Sequence, residues 1–282
     1  MISSLVWILT GWSLDPGPLI DLALGAALYA RGCQRLRRKA GGRAKLPSWR
    51  IACYAAGLVS LAFAFFSPIA TFDDRYFFVH MLQHLLIGWL TPPLLWFGAP
   101  LAPTLWGLPD SARLRVGSWL SPKRSLGRLC LGLTTPYVSL PIFLIVVAVW
   151  HVPSFYDAAQ GHTLIHNLEH LTFFVAGLLY WWPIVPPTRG RRRLAPMSGG
   201  LLYLLATATE GGLIGGVFTF SDLVIYPFYL HPTSSVGLSP LTDQHLAGIV
   251  MWLLGGLIDA TAAFILVGAY LAWEEWRVSP AQ

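Results

Sequence analysis

The chain has 282 residues, of which 55% are hydrophobic and only 11% charged, and a formal net charge of +6; its mean hydropathy is +0.58. Soluble domains carry about 25% charged residues, so this composition excludes a soluble enzyme, a disordered regulator and a small disulfide scaffold. The 13 Trp, 10 Tyr and 15 Phe suit a protein that meets two membrane interfaces.

A helix needs about 20 mainly apolar residues to cross about 30 Å of hydrocarbon. Seven stretches qualify: 17–32, 50–68, 76–98, 134–151, 163–183, 198–221 and 244–273. The pattern predicts an all-α, polytopic membrane protein, a seven-transmembrane-helix bundle forming a single domain over 1–282. Met1 to Thr10 is apolar but lacks a basic leader and a small-residue cleavage site, so no cleavable signal peptide is expected. The first span is short and includes Asp21. The segment 31–50 then holds Arg31, Arg35, Arg37, Arg38, Lys39, Arg43, Lys45 and Arg50.

After the second span, the third opens with His80-Met81-Leu82-Gln83-His84. Spacing of i, i+4 places both imidazoles on one helical face, about 6 and 12 Å below the outer boundary. Asp73, upstream, joins that face if the helix extends outward. The 99–133 loop holds Arg113, Arg115, Lys123, Arg124 and Arg128, and its stretch Asp110 to Leu120 reads as an amphipathic helix lying along the membrane surface. The fourth span ends at Trp150-His151, a position that suits either a metal site or the aromatic belt.

The fifth span opens with His162, His166, Glu169 and His170, which fit within an arc of about 100°. His166 and His170 lie about 4 and 10 Å deep, close to the depth of the first pair. Two histidine pairs at matching depth on separate helices can close around one metal ion, and ionisable groups inside a span mark function. The plainer reading is that each imidazole packs and hydrogen-bonds. His166-Asn167-Leu168-Glu169-His170 also spells the H-x-x-E-H zinc-peptidase motif, without any further protease feature.

The 184–197 loop adds Arg189, Arg191, Arg192 and Arg193. In the sixth span, Glu210 is costly at mid-bilayer unless protonated or paired, and Gly211, Gly212, Gly215 and Gly216 form small-residue ridges for close helix approach. Asp243, Gln244 and His245 begin the last span, which also contains Asp259, and Arg277 follows it.

Of the 19 Lys and Arg, all but Arg75 fall on one side of this topology. Basic residues stay cytoplasmic, so the N-terminus is expected outside and the C-terminus inside. The basic runs are short, lie beside spans and are not interleaved with base-stacking aromatics; they exclude nucleic acid and suit anionic lipid of the bilayer. All eight histidines, His231 included, map to the outer side or outer half. Cys33, Cys53 and Cys130 map to the cytoplasmic half, so no disulfide is expected and an outer metal site has no thiolate. Asp157, Asp222 and Asp243 make the outer surface acidic and attractive to cations, or cap helices. Imidazole and carboxylate ligands suit Cu(II) or Zn(II), with Cu(II) held more tightly.

These residues resemble a family. His80-Met81-Leu82-Gln83-His84 followed by Pro92-Pro93 and Gly98-Ala99-Pro100 resembles the opening motif of the CtaG-type (caa3 family) cytochrome c oxidase assembly factors. Trp150-His151-Val152-Pro153 with Tyr156-Asp157-Ala158-Ala159, His166 and Glu169-His170 with Trp181-Trp182-Pro183, and Asp243-Gln244-His245 with Gly248 and Met251-Trp252 are similar to later blocks. The motif-bearing part is about 50–275, and the first span matches no motif. The resemblance implies a multi-pass protein of the bacterial cytoplasmic membrane. It implies an assembly factor, not an enzyme, that matures a haem-copper oxidase at the copper step. The residues it singles out are His80, His84, His151, His166, Glu169, His170, Asp243 and Gln244; His245 departs from the pattern, which has Gln there.

The expectation is therefore a copper site facing the extracytoplasmic side, made by His80, His84, His166 and His170. His151, Glu169, Asp73, Glu210, Asp243 and His245 serve as further ligands or supports. Copper then passes to a cytochrome c oxidase subunit or another copper chaperone. One alternative is haem binding, with one histidine of each pair as axial ligands. Another is a zinc-dependent intramembrane hydrolase with Glu169 or Glu210 as base. A third is a scaffold whose histidines only pack.

Overall fold

The computed structural model of the protein describes residues 11–39, 41, 46–186, 197–230 and 238–278. His231, Arg43, Lys45, Arg189, Arg191, Arg192, Arg193 and the side chain of Arg277, all used in the topology argument, lie outside the described residues. Among those described, no strand occurs and helices follow one another as α1 (Pro16–Lys39), α2 (Ser48–Phe66) and α3 (Pro68–Phe72). Helix α4 consists of Phe77–His84, a π-helical stretch Leu85–Leu90 and Thr91–Phe97. Then come α5 (Leu101–Gly107), α6 (Asp110–Trp119), α7 (Ser125–Leu133), α8 (Pro136–Trp150), α9 (Pro153–Gly161), α10 (Thr163–Trp181) and α11 (Met197–Phe220). A 3-10 turn, Pro227–Leu230, precedes α12, which runs through Pro240–Ile249, a π-helical Val250–Leu254 and Gly255–Val278.

Each of the seven expected spans is helical; the first helix runs seven residues beyond its expected end, to Lys39, and the last extends from Pro240 to Val278 rather than over 244–273. Among the described residues, length and apolarity suffice for membrane crossing in three helices, Ser48–Phe72, Met197–Phe220 and Pro240–Glu275. The number is five if two bent pairs each count as one span: Phe77–Phe97 with Leu101–Gly107 (77°), and Ser125–Leu133 with Pro136–Trp150 (70°). The two helices that fall short do so for a chemical reason. Helix α1 carries Asp21 and ends in Arg37, Arg38 and Lys39. Helix α10 has His166, Asn167, Glu169 and His170 in its first turns, so the residues proposed for chemistry lower its hydropathy.

The bends follow from backbone chemistry. Pro92 and Pro93 lack amide hydrogens and cannot complete the preceding turns; the π-helical stretch lies just ahead of them, a distortion common where helices do chemistry. At the turn from α4 to α5, Ala99 has φ +47°, the left-handed conformation that lets the chain fold back. Helix α6 forms as expected, but none of its residues is buried. Leu114 and Trp119 are exposed, so it lacks a covered apolar face within this chain. Cys33, Cys53 and Cys130 are free thiols.

Helices α4, α8 and α10 share the principal core, where Phe143, Val147, Phe173 and Tyr180 are fully buried. Helix α10 approaches α4 closely because Gly177 has no side chain. A Cβ there would collide with the Gly88 carbonyl oxygen and lie 2.9 Å from Pro92 Cγ. Helices α11 and α12 meet in the same way at Gly215 and Gly248, where a Cβ on Gly215 would sit 2.8 Å from the Gly248 oxygen. The other three glycines of the expected ridge, Gly211, Gly212 and Gly216, face open space. A second cluster of Phe77, Tyr156, Phe218, Tyr226 and Tyr229 packs over the start of α4.

Candidate metal centre

Helical spacing on α4 stacks His80 and His84 with ring centroids 4.2 Å apart, and on α10 it does the same for His166 and His170, also at 4.2 Å. The close crossing at Gly177 brings the pairs face to face. His80 lies 5.4 Å from His166 and 5.9 Å from His170, and His84 lies 5.4 Å from His170, centroid to centroid. Glu169 reaches between the two α4 imidazoles, its Oε2 3.8 Å from His80 Nε2 and its Oε1 3.6 Å from His84 Nε2. His80, His84, Glu169 and His170 are all buried, His80 and Glu169 completely.

The four histidines form two overlapping groups rather than one. In the inner group, His80, His84 and His170, all buried, hold their potential ligand atoms within 4.8 Å of one another. In the outer group, Asp73, His80 and His166 meet the same limit. His80 is common to both. The outer group is the more open: the His166 side chain is 23% exposed, and its Nε2 lies 3.8 Å from Asp73 Oδ2. Burial, with Asp74 beside it, pushes the Asp73 carboxyl up to about 7.

Hydrogen bonding does not account for the arrangement. His84 Nδ1 and Nε2, His166 Nε2, His170 Nε2 and both Glu169 carboxyl oxygens are buried and have no hydrogen-bond partner. An unpaired buried polar atom costs about 1–3 kcal/mol, and packing histidines are ordinarily satisfied. Each neutral imidazole keeps one lone pair that a cation would engage, and imidazole nitrogens with carboxylate oxygens are donors that copper and zinc accept.

The remaining expected residues lie elsewhere. Asp243, at the start of α12, accepts hydrogen bonds from the Phe77 and Phe78 amides at 2.8 and 3.0 Å, and so caps the helix that presents His80 and His84. Gln244 accepts from the Ile225 amide at 2.7 Å and donates to the Leu223 carbonyl at 3.0 Å, tying down the segment after α11. His245 Nε2 lies 3.0 Å from the Ser221 carbonyl oxygen. His151 Nδ1 lies 2.7 Å from the Val147 carbonyl oxygen, and His151 belongs to neither metal group. Glu210, half-buried on α11, Asp157 and Asp222 also lie outside both groups.

One close contact has no signal in the sequence. Gln160, at the end of α9, places its side-chain amide nitrogen 3.1 Å from His80 Nδ1, which orients the shared imidazole. Tyr156 of the same helix packs on His80 at 5.3 Å between ring centroids and bonds Tyr229 at 2.9 Å. Tyr229 in turn donates to the Asp73 carbonyl at 3.0 Å. Helix α9 contains Tyr156-Asp157-Ala158-Ala159 of a family-like block, but Gln160 itself lies outside that block, and one amide carries no spacing pattern to reveal it.

Comparison with known proteins places this geometry in a family. The family model for the cytochrome c oxidase caa3 assembly factor (Caa3_CtaG) matches residues 27–272, beginning within α1 and so earlier than the expected position near 50. Among curated proteins, the chain is 26% identical over 273 residues to an uncharacterised protein of Mycobacterium bovis and to one of Mycobacterium tuberculosis, covering 94% of this chain and 40% of each relative. An uncharacterised protein of Mycobacterium leprae is 26% identical over 288 residues, covering 98% of this chain and 42% of the relative. The chain thus spans about 40% of the length of the curated relatives it matches. No solved structure matches it. By the match over nearly its whole length, the chain belongs to the family of cytochrome c oxidase caa3 assembly factors.

Proposed function

We propose that the protein handles copper for the maturation of a haem-copper cytochrome c oxidase, as an assembly factor and not as an enzyme. In this reading it crosses the bacterial cytoplasmic membrane seven times, N-terminus outside and C-terminus inside, with the histidine centre on the extracytoplasmic side. Copper is its cargo, received from and passed to an oxidase subunit or another copper chaperone. The observation that supports this most is the set of buried, partnerless donor atoms on His84, His166, Glu169 and His170.

The paired groups suit delivery better than storage. A structural site closes its coordination sphere, whereas a transfer site keeps positions open. Each group here offers three residues, and His80 belongs to both. An ion entering at His166, whose side chain is 23% exposed, and Asp73 could move inward by exchanging those ligands for His84 and His170, never leaving His80. The tyrosines over the start of α4 shield the inner group from water.

The alternatives fit the geometry less well. A haem requires a flat slot between its axial imidazoles, whereas the cavity beside His84 measures about 20 Å³. A zinc hydrolase requires an open metal position reached by substrate, whereas of its two candidate bases Glu169 is fully buried between two imidazoles and Glu210 lies outside both metal groups.

Metal analysis of the detergent-purified protein after copper loading and desalting tests the proposal. His80→Ala removes the residue common to both groups and should lose most of the copper, whereas His84→Ala and His166→Ala should each empty the group to which it belongs. The double variant should lose as much as His80→Ala. Full copper retention in both single variants would leave the histidines as packing residues and end the proposal.

A further inference from the structure

Behind the histidine centre lies a cavity of about 20 Å³ that the proposed function does not use, lined among others by Met81, His84, His151 and Met251. Its volume holds about one water-sized species. Gly211 and Gly212 are also on its wall.

Its donors differ in kind from those of the first centre. His84 turns Nε2 toward Glu169 at 3.6 Å, and its Nδ1, on the opposite part of the ring, is buried without a partner. His151 engages the Val147 carbonyl oxygen through Nδ1 at 2.7 Å. That bond fixes the proton on Nδ1 and leaves a lone pair on Nε2, which is buried and unpartnered. Met81 and Met251 are buried at 1% and 7% exposure, and thioethers select soft cations such as Cu(I).

Charge points the same way. These imidazoles and thioethers are neutral donors, so an ion in the cavity keeps its own charge inside the membrane, where charge must be paired. Asp259 lines the same cavity at 3% exposure, and its nearest hydrogen-bond donors are the Thr207 and Tyr180 hydroxyls at 3.3 and 3.5 Å. One carboxylate balances one monovalent cation.

We propose that the cavity between Met81, His84, His151 and Met251 is a second metal position that takes copper(I), whereas the carboxylate-bearing first centre takes a divalent ion. It rests on the copper reading of that centre: a neutral imidazole offers one lone pair, so His84 serves one position at a time, through Nε2 or through Nδ1.

The test uses the full-length protein with Cys33, Cys53 and Cys130 replaced by Ser, so that no thiol competes, titrated in detergent with Ag(I) as a redox-inert Cu(I) probe and separately with Zn(II). Replacing Met81 and Met251 together by Leu should weaken Ag(I) binding by about tenfold or more and leave Zn(II) binding unchanged. Met197→Leu should change neither. Leu conserves the volume of Met, and retained Zn(II) binding reports an intact fold. Should the double variant unfold, Met81→Leu and Met251→Leu carry the test singly, each with its own loss of Ag(I) affinity. Ag(I) affinity that is unchanged by the Leu variants, or lowered equally by Met197→Leu, would overturn the proposal. Methionine-dependent Ag(I) binding with no Zn(II) binding would uphold the cavity and refute the first centre.

Discussion

Asp243 shows how far a residue's type can differ from its position. As a carboxylate at the mouth of a membrane span it is a natural ligand candidate, yet both of its oxygens accept from the first amides of α4. Hydrogen bonds to a charged group contribute about 1.5–3 kcal/mol each. Asp243→Ala should therefore lower the thermal unfolding midpoint of the purified protein, and Asp243→Asn, which keeps an acceptor oxygen, should recover part of the loss. An unchanged midpoint in the Ala variant would show that the cap contributes nothing. The histidine pairs were legible in the sequence because i, i+4 spacing has one geometric consequence on a helix. Gln160 was not, since its approach to His80 depends on how a separate short helix docks.

At the scale of elements, the site depends on two helices meeting at a set distance. The Gly177 contact with Gly88 and Pro92 of α4 lies on the same helix as His166 and His170, so widening it would draw the imidazole pairs apart. Gly177→Val should reduce copper retention strongly although no ligand is altered, whereas Gly216→Val, facing open space, should keep wild-type retention. Equal retention in both variants would contradict this dependence. The lengths of the apolar stretches revealed where the helices are. The π-helical stretch Leu85–Leu90 and the 77° turn into α5 were not legible, because the length of an apolar run carries no sign of a change in helical pitch or direction. The glycine ridge of α11 was half legible: Gly215 makes the expected close approach, and Gly211 and Gly212 line a cavity instead.

At the scale of the molecule, the all-helical class follows from composition and span length alone. The number of crossings is less direct, because a helix that carries site residues loses the apolarity by which spans are recognised, as α10 does. Orientation comes from basic residues, all but Arg75 of the 19 being assigned to one side. A reporter fused after Gln282 should read cytoplasmic, and one inserted in the 233–239 segment should read extracytoplasmic; the reverse pattern would turn the histidine centre toward the cytoplasm. Replacing Cys33, Cys53 and Cys130 together with Ser should leave copper retention unchanged, because the proposed ligands are imidazoles and carboxylates. A large loss would place copper on the thiols.

The central claim is that this centre supplies copper to an oxidase, and the copper content of that oxidase measures it. Haem-copper oxidase should be purified from cells whose only copy of the protein is wild type, His84→Ala or absent, with the variant shown to accumulate normally in the membrane. The expected result is an oxidase as deficient in copper with His84→Ala as in the absence of the protein. An oxidase with full copper content in the His84→Ala cells, alongside a deficient one where the protein is absent, would contradict it.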